Sequence, residues 1–173
     1  MEIRGVYYLL LKKTFPLIAD IVGPELGRYF EDIDADGWYD AGPYLETVKY
    51  LKEHISPEVM ELVGSELAAM VEDKIRALGI NTPQDLATKV AEIFGTMVRG
   101  EDAGSWEISN YQTSRCILTE TGPTRDTSFV AGIVRGGLGA VGAYNIRITV
   151  LEDRANGAAA NKYLIEWMEP KGE

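Results

Sequence analysis

Residues 129 to 167 read FVAGIVRGGLGAVGAYNIRITVLEDRANGAAANKYLIEW, and this stretch decides the fold. It opens as a small-residue helix and passes into a strand from Asn145 to Asp153. A Gly/Ala/Asn turn then leads to a second strand from Asn161 to Trp167. Ile146, Ile148 and Val150 alternate with Arg147, Thr149 and Leu151, and Tyr163, Ile165 and Trp167 alternate with Leu164 and Glu166. That is the period-2 pattern of strands with one buried face. The helix carries Gly132, Gly136, Gly137, Gly139 and Gly142. Each glycine costs about 1 kcal/mol relative to alanine, so the helix needs outside support. Glycines also let a backbone approach its neighbour closely, which predicts a helix clamped between the hairpin and the rest of the molecule.

Upstream, the period changes after Arg99-Gly100-Glu101-Asp102-Ala103-Gly104. Residues 105 to 121 read as one long strand or as a hairpin turning near Asn110. Before them the chain is helical. Thr82-Pro83-Gln84-Asp85 and Ser56-Pro57-Glu58 are two helix starts, each with a hydroxyl N-cap followed by proline at the first position. They open helices expected to run to about Val98 and to Gly79. A further helix is expected from about Pro43 to His54. The apolar segment from residue 4 to 22 reads as a helix to Lys13 and a second one starting near Pro16. Helices first, then a meander of strands, define an α+β domain. The expected architecture is an N-terminal helical part, residues 1–100, packed on a three- to four-stranded antiparallel sheet with an inserted Gly-rich helix. Residues 1–170 are read as a single ligand-binding-type domain, sheet-rich from 101 onward.

The Gly-spaced helix, the strand, the short loop and the last strand ending in an aromatic resemble the C-terminal half of the 4-vinyl reductase domain. Its superfamily also holds the haem-nitric-oxide-binding domains and the Bet-type subunits of a Golgi tethering complex. The resemblance implies a cavity between helices and sheet for an apolar or tetrapyrrole-like ligand, and often a dimer. Many members carry cysteines beside the last hairpin. This chain has Glu152, Asp153 and Arg154, then Lys162 and Tyr163, in those neighbourhoods. The family name also implies a reductase acting on a tetrapyrrole, although no residue here establishes that chemistry.

Tyr111-x-Thr113-x-Arg115 is similar to the Tyr-x-Ser-x-Arg motif by which haem-nitric-oxide-binding domains hold haem propionates. On one continuous strand the three side chains would share a face and could share a carboxylate. Those domains also place a histidine on a helix shortly before the sheet. The only histidine here is His54, and the helix at 83 to 98 has none, so haem ligated in that way is not expected. The aromatics Tyr7, Tyr8, Trp38, Tyr39, Trp106 and Trp167 could line a cavity, and Trp38 and Trp106 are the ligand-binding candidates among them.

Three other patterns have simpler readings. Asp32-x-Asp34-x-Asp36-Gly37 matches the first half of a calcium loop, but the twelfth position, which needs a bidentate Glu, is Pro43. No metal site is assigned there. Gly137-x-Gly139-x-x-Gly142 matches a dinucleotide fingerprint, yet its glycines end a helix and do not begin one. His54 sits where a cation near the last helix carbonyls is expected.

The chain has 173 residues and a net charge of −10, with 46% hydrophobic side chains. That balance repels phosphate backbones and anionic membranes, so nucleic acid is not an expected partner. The run Val6-Tyr7-Tyr8-Leu9-Leu10-Leu11 is far short of the roughly 20 residues a bilayer span takes, and it lacks a cleavage region. A cytoplasmic location follows as the expectation. The single cysteine, Cys116, forms no internal disulfide and reads as a small apolar residue in a strand. Together these features favour a small-molecule sensor or carrier with Tyr111, Thr113 and Arg115 as polar anchors. The alternative is a homodimeric interaction module using the apolar segment at residues 6 to 11.

Overall fold

The computed structural model describes residues 1–16, 23, 27–123 and 126–169. The expected hairpin forms from β6, Tyr144–Glu152, and β7, Asn161–Met168. With β4, Trp106–Gln112, and β5, Arg115–Glu120, they make an antiparallel sheet in the order β4-β5-β7-β6. Along β7, Tyr163, Ile165 and Trp167 are buried as their alternation requires. At the inner end of this sheet Glu120 is buried. Its Oε2 accepts from Asn161 Nδ2 at 2.9 Å and from the Tyr163 hydroxyl at 3.3 Å, which ties β5 to β7.

The helices among the described residues are α1 (Val6–Thr14), α2 (Gly42–His54), α3 (Pro57–Met70), α4 (Glu72–Ala77), α5 (Pro83–Thr88), α6 (Val90–Met97) and α7 (Thr127–Ala140). The two start signals act as read. Ser56 Oγ accepts from Val59 N at 3.4 Å, and Thr82 and Asp85 form a reciprocal capping box. Each of the two expected long helices is broken once. Val71 interrupts the first with φ −109° and ψ 6°, and Lys89 the second with φ −103° and ψ 9°. The ammonium of Lys89 turns back to the Leu78 carbonyl, which anchors that corner. The helix expected to start near Pro16 lies outside the described residues.

The Gly-rich helix α7 is clamped, and its partner is α3. A β-carbon at Gly132 would stand 2.0 Å from the Glu61 carbonyl oxygen, and one at Gly64 would stand 2.1 Å from that of Phe129. The two backbones therefore touch where neither helix has a side chain. Ser65 Oγ donates to the Gly132 carbonyl at 3.1 Å, and Arg135 Nε donates to Glu61 Oε1 at 2.6 Å. Asp126 caps α7, accepting from Ser128 N at 3.0 Å and Phe129 N at 3.1 Å.

A second, smaller sheet went unread in the sequence. It has the order β2-β1-β3, from β1 (Glu2–Arg4), β2 (Trp38–Asp40) and β3 (Val98–Arg99). Trp38 pins it: the guanidinium carbons of Arg4 and Arg99 lie 4.0 and 4.2 Å from its ring centroid. Trp38→Ala is expected to lower stability by about 2 kcal/mol through loss of this double cation–π stack and its packing. The readout is the urea midpoint at constant m; a shift equivalent to under about 0.5 kcal/mol would show that the stack contributes nothing.

The N-terminal apolar segment is spent inside the chain. Val6, Tyr7, Tyr8, Leu10 and Leu11 are all buried, and the Tyr8 hydroxyl donates to the Asp40 carbonyl at 2.7 Å while accepting from Tyr44 N at 3.2 Å. Of the run that favours an interaction module, Leu9 alone stays partly exposed, which leaves little surface for a partner.

Candidate ligand cavity

Where α3 and α7 meet α5, α6 and the four-stranded sheet, the side chains leave a cavity of about 110 Å³. From the helical side its wall is Leu67, Val71, Leu86, Val90, Ile93 and Phe94. The sheet contributes Trp106, Ile108, Cys116, Leu118, Ile165 and Trp167, and α7 adds Ile133, Gly137 and Leu138. The α1 side closes with Tyr7. Leu67, Val71 and Ile75 reach the wall together, as residues spaced by four on one face do.

Few polar atoms belong to these residues. Burial pushes the Cys116 thiol up to about 11, so it stays protonated near neutral pH. Trp106 is 7% exposed and stacks on Phe94 at 5.8 Å between ring centroids. Its indole N–H is buried with no acceptor among the described residues.

Of Trp38 and Trp106, the fold brings only Trp106 into the wall, which Tyr7, Phe94 and Trp167 also line. Trp38 lies in the small sheet and is not part of it. Residues 105 to 121 form a hairpin whose turn falls at Thr113 and Ser114, three residues beyond Asn110. Asn110 instead holds φ 52° at a bulge, where the register shifts between Ser109 and Gln112. The shift carries Tyr111 to Trp167, with ring centroids 6.1 Å apart. Arg115 pairs with Glu166 across the sheet, one residue out of phase with the buried Cys116 and Leu118. Tyr111, Thr113 and Arg115 are all exposed at this end of the hairpin and do not line up along one strand face.

The acidic loop is used through its backbone. The carbonyls of Gly37 and Ala35 accept from Gly5 N at 2.9 Å and Val6 N at 3.1 Å, satisfying donors at the start of α1. Asp34 Oδ1 accepts from Asp36 N at 3.0 Å, and the Asp36 carboxylate pairs with Lys74. Among the described residues no group of three or more His, Cys, Asp or Glu side chains converges as a metal site would need. The glycines of the dinucleotide-like pattern end α7, where Gly142 takes φ 88° before β6. Among the described residues no helix is long and apolar enough to cross a membrane.

An α+β domain that closes an apolar cavity between helices and an antiparallel sheet is the class these features define. Among solved structures the chain matches H-NOX proteins over nearly its whole length. One is the H-NOX protein from S. oneidensis in the Fe(II)NO ligation state, with a TM-score of 0.72 and 13% identity over 96% of this chain and 99% of that one. Another is an oxygen-binding H-NOX domain related to soluble guanylate cyclases, with a TM-score of 0.72 and 11% identity over 98% and 95%. A third is a mutant of the H-NOX protein from K. algicida in the Fe(II) unliganded state, with 0.69 and 14% over 96% and 97%. No protein-family model matches the chain, and no curated protein matches it in sequence. The fold is H-NOX-like, and at these identities the likeness is one of fold.

The residues present do not fit histidine-ligated haem. His54 ends α2, where its Nδ1 lies 2.7 Å from the Tyr50 carbonyl oxygen and its ring stacks on Tyr50 at 4.1 Å. It is outside the cavity wall, whose sulfur atoms belong to the protonated Cys116 thiol and the Met97 thioether. The cavity is also well below the roughly 300–1,000 Å³ of ordinary ligand pockets.

Proposed function

We propose that the chain is a small-molecule-binding domain, a sensor or carrier, whose ligand is a compact apolar molecule held between α3, α5, α6, α7 and the four-stranded sheet. The supporting observation is the cavity itself: about 110 Å³, walled by aliphatic and aromatic side chains, with no histidine. A dry apolar cavity of about 150 Å³ is enough for benzene, so a ligand of that size or slightly smaller matches it. A tetrapyrrole is larger than this cavity and would need its walls to part. The names of the similar structures speak of nitric oxide, oxygen and haem, and they favour ligand sensing on this fold over an interaction module.

Trp106 and Trp167 line the cavity, so their fluorescence is the readout. Titration with benzene should give a saturable change with a Kd of about 1 mM or tighter. A linear, non-saturating response would sink the reading.

For a ligand that also bears a carboxylate, Tyr111, Thr113 and Arg115 are proposed as anchors at the hairpin end beside Trp167. Arg115→Ala should then weaken benzoate by about 1.5–3 kcal/mol and leave benzene unchanged. Equal benzoate affinity in the folded variant would remove Arg115 from the site.

A further inference from the structure

A second cavity, of about 390 Å³, opens between β1, α1, α2 and the start of α7. That volume falls within the roughly 300–1,000 Å³ of ordinary ligand pockets. Tyr7 is the single residue common to both linings, so the two cavities are separate spaces. The buried part of the second lining is Ile3, Tyr7, Tyr44 and Phe129, three of them aromatic. Tyr7 and Tyr44 meet edge to face with ring centroids 5.4 Å apart. From α2 come Leu45, Val48, Lys49 and Lys52, whose spacing of three, four and seven puts them on one helix face. Leu45 and Val48 are half-buried and the two lysines exposed, which gives an apolar interior with a cationic rim. The rim carries one charge in excess. Lys52 Nζ lies 3.4 Å from Asp126 Oδ2, and the other oxygen of Asp126 takes the Ser128 and Phe129 N–H groups. Lys49 forms no ion pair among the described residues, with Glu46 and Glu53 of its own helix or with any other acid.

We propose that this cavity is a second binding site, for an aromatic monocarboxylate whose ring system packs against Tyr7, Tyr44 and Phe129 and whose carboxylate pairs with Lys49 at the rim. Aromatic rings gain from edge-to-face and offset contacts beyond the area they bury, which favours an aryl body here. The carboxylate stays at the solvent boundary, so it avoids the cost of burying an ion. One unpaired ammonium matches one negative charge. The net charge of −10 opposes an anion at long range, but charges more than about 8 Å away are largely screened at physiological salt, so the local excess at Lys49 decides. The assignment stands whether or not the first cavity takes a ligand.

Naphthylacetate and naphthylethanol are matched probes that differ in charge, and their two fused rings are too large for the first cavity. Calorimetric titration of each into wild-type and variant protein reads the site. The probes differ in hydration, so the informative quantity is how each affinity changes between proteins. Lys49→Gln should weaken naphthylacetate about fivefold, the upper end for a pair at the surface, and the charge reversal Lys49→Glu about twentyfold. Naphthylethanol should stay within about twofold in both. Lys49 is exposed, so neither variant disturbs the core. Gly137→Leu, which puts a side chain into the first cavity, should leave naphthylacetate binding unchanged. Unaltered naphthylacetate affinity in Lys49→Glu, or an equal loss of both probes, overturns the assignment. So does loss of naphthylacetate binding in a folded Gly137→Leu protein, which would seat the rings in the first cavity. If neither probe binds wild-type protein, the second site is ruled out and the first cavity is untouched by the result.

Discussion

Gly132→Ala is expected to cost about 3 kcal/mol or more, lowering the melting temperature by about 6–12 °C. Helix propensity alone argues the other way, since alanine improves a helix interior by about 1 kcal/mol over glycine. Packing decides the sign. The added methyl would lie 2.0 Å from the Glu61 carbonyl oxygen, an atom of the α3 backbone that no rotamer change can move aside. Relief requires α3 and α7 to separate, which lengthens the Ser65–Gly132 hydrogen bond and opens the cavity wall they share. Calorimetry of the two proteins checks this. A melting temperature within about 2 °C of wild type would mean that the backbones do not touch as described.

Gly137, five positions on in the same helix, should behave in the opposite way. A β-carbon there first meets Leu86 Cδ2 at 3.6 Å, an ordinary van der Waals contact, and the residue lines the cavity. Gly137→Leu is therefore expected to gain about 1 kcal/mol of helix propensity while its side chain fills the cavity. Benzene binding should weaken at least about 30-fold, a loss of about 2 kcal/mol, in a protein no less stable than wild type. Fluorescence titration and thermal unfolding of one sample read both effects. Undiminished binding in a stable Gly137→Leu protein would place the ligand elsewhere.

The contrast between the two glycines also shows where sequence reading stops. The glycine spacing and the strand alternation around it were enough to predict a clamped helix on a hairpin, because both signals are local and periodic. Gly64, the glycine on α3 that meets Phe129, lies far from α7 in sequence and inside an ordinary helical stripe, so nothing local marked it. The small sheet escaped for a different reason. Strands of three and two residues are too short for a period of two to be tested, and the apolar run after β1 is a stronger signal. At the β4–β5 hairpin the composition placed the reversal near Asn110. That residue does take a left-handed conformation, but as a bulge, and the turn follows at Thr113 and Ser114.

The candidate site was legible only in pieces. Trp106, like Tyr7 and Trp167, is an aromatic that could line a pocket, and the fold places all three in the cavity wall. Trp38 carried the same signal but is held by Arg4 and Arg99 in the small sheet. The rest of the wall reads as core, since Ile93, Leu118 or Leu138 has the same hydrophobic pattern whether its neighbour is another side chain or a cavity. The orphaned Trp106 N–H has no sequence signature at all, because the lack of an acceptor is a property of the assembled wall.

Native mass spectrometry of the purified protein, with an absorbance scan of the same sample, tests the central claim most directly. A filled apolar cavity gives excess mass from one small organic molecule per chain, lost on denaturation, with no visible absorption band. One haem per chain with a visible band would rule out a compact apolar ligand, and an unliganded dimer would favour an interaction module.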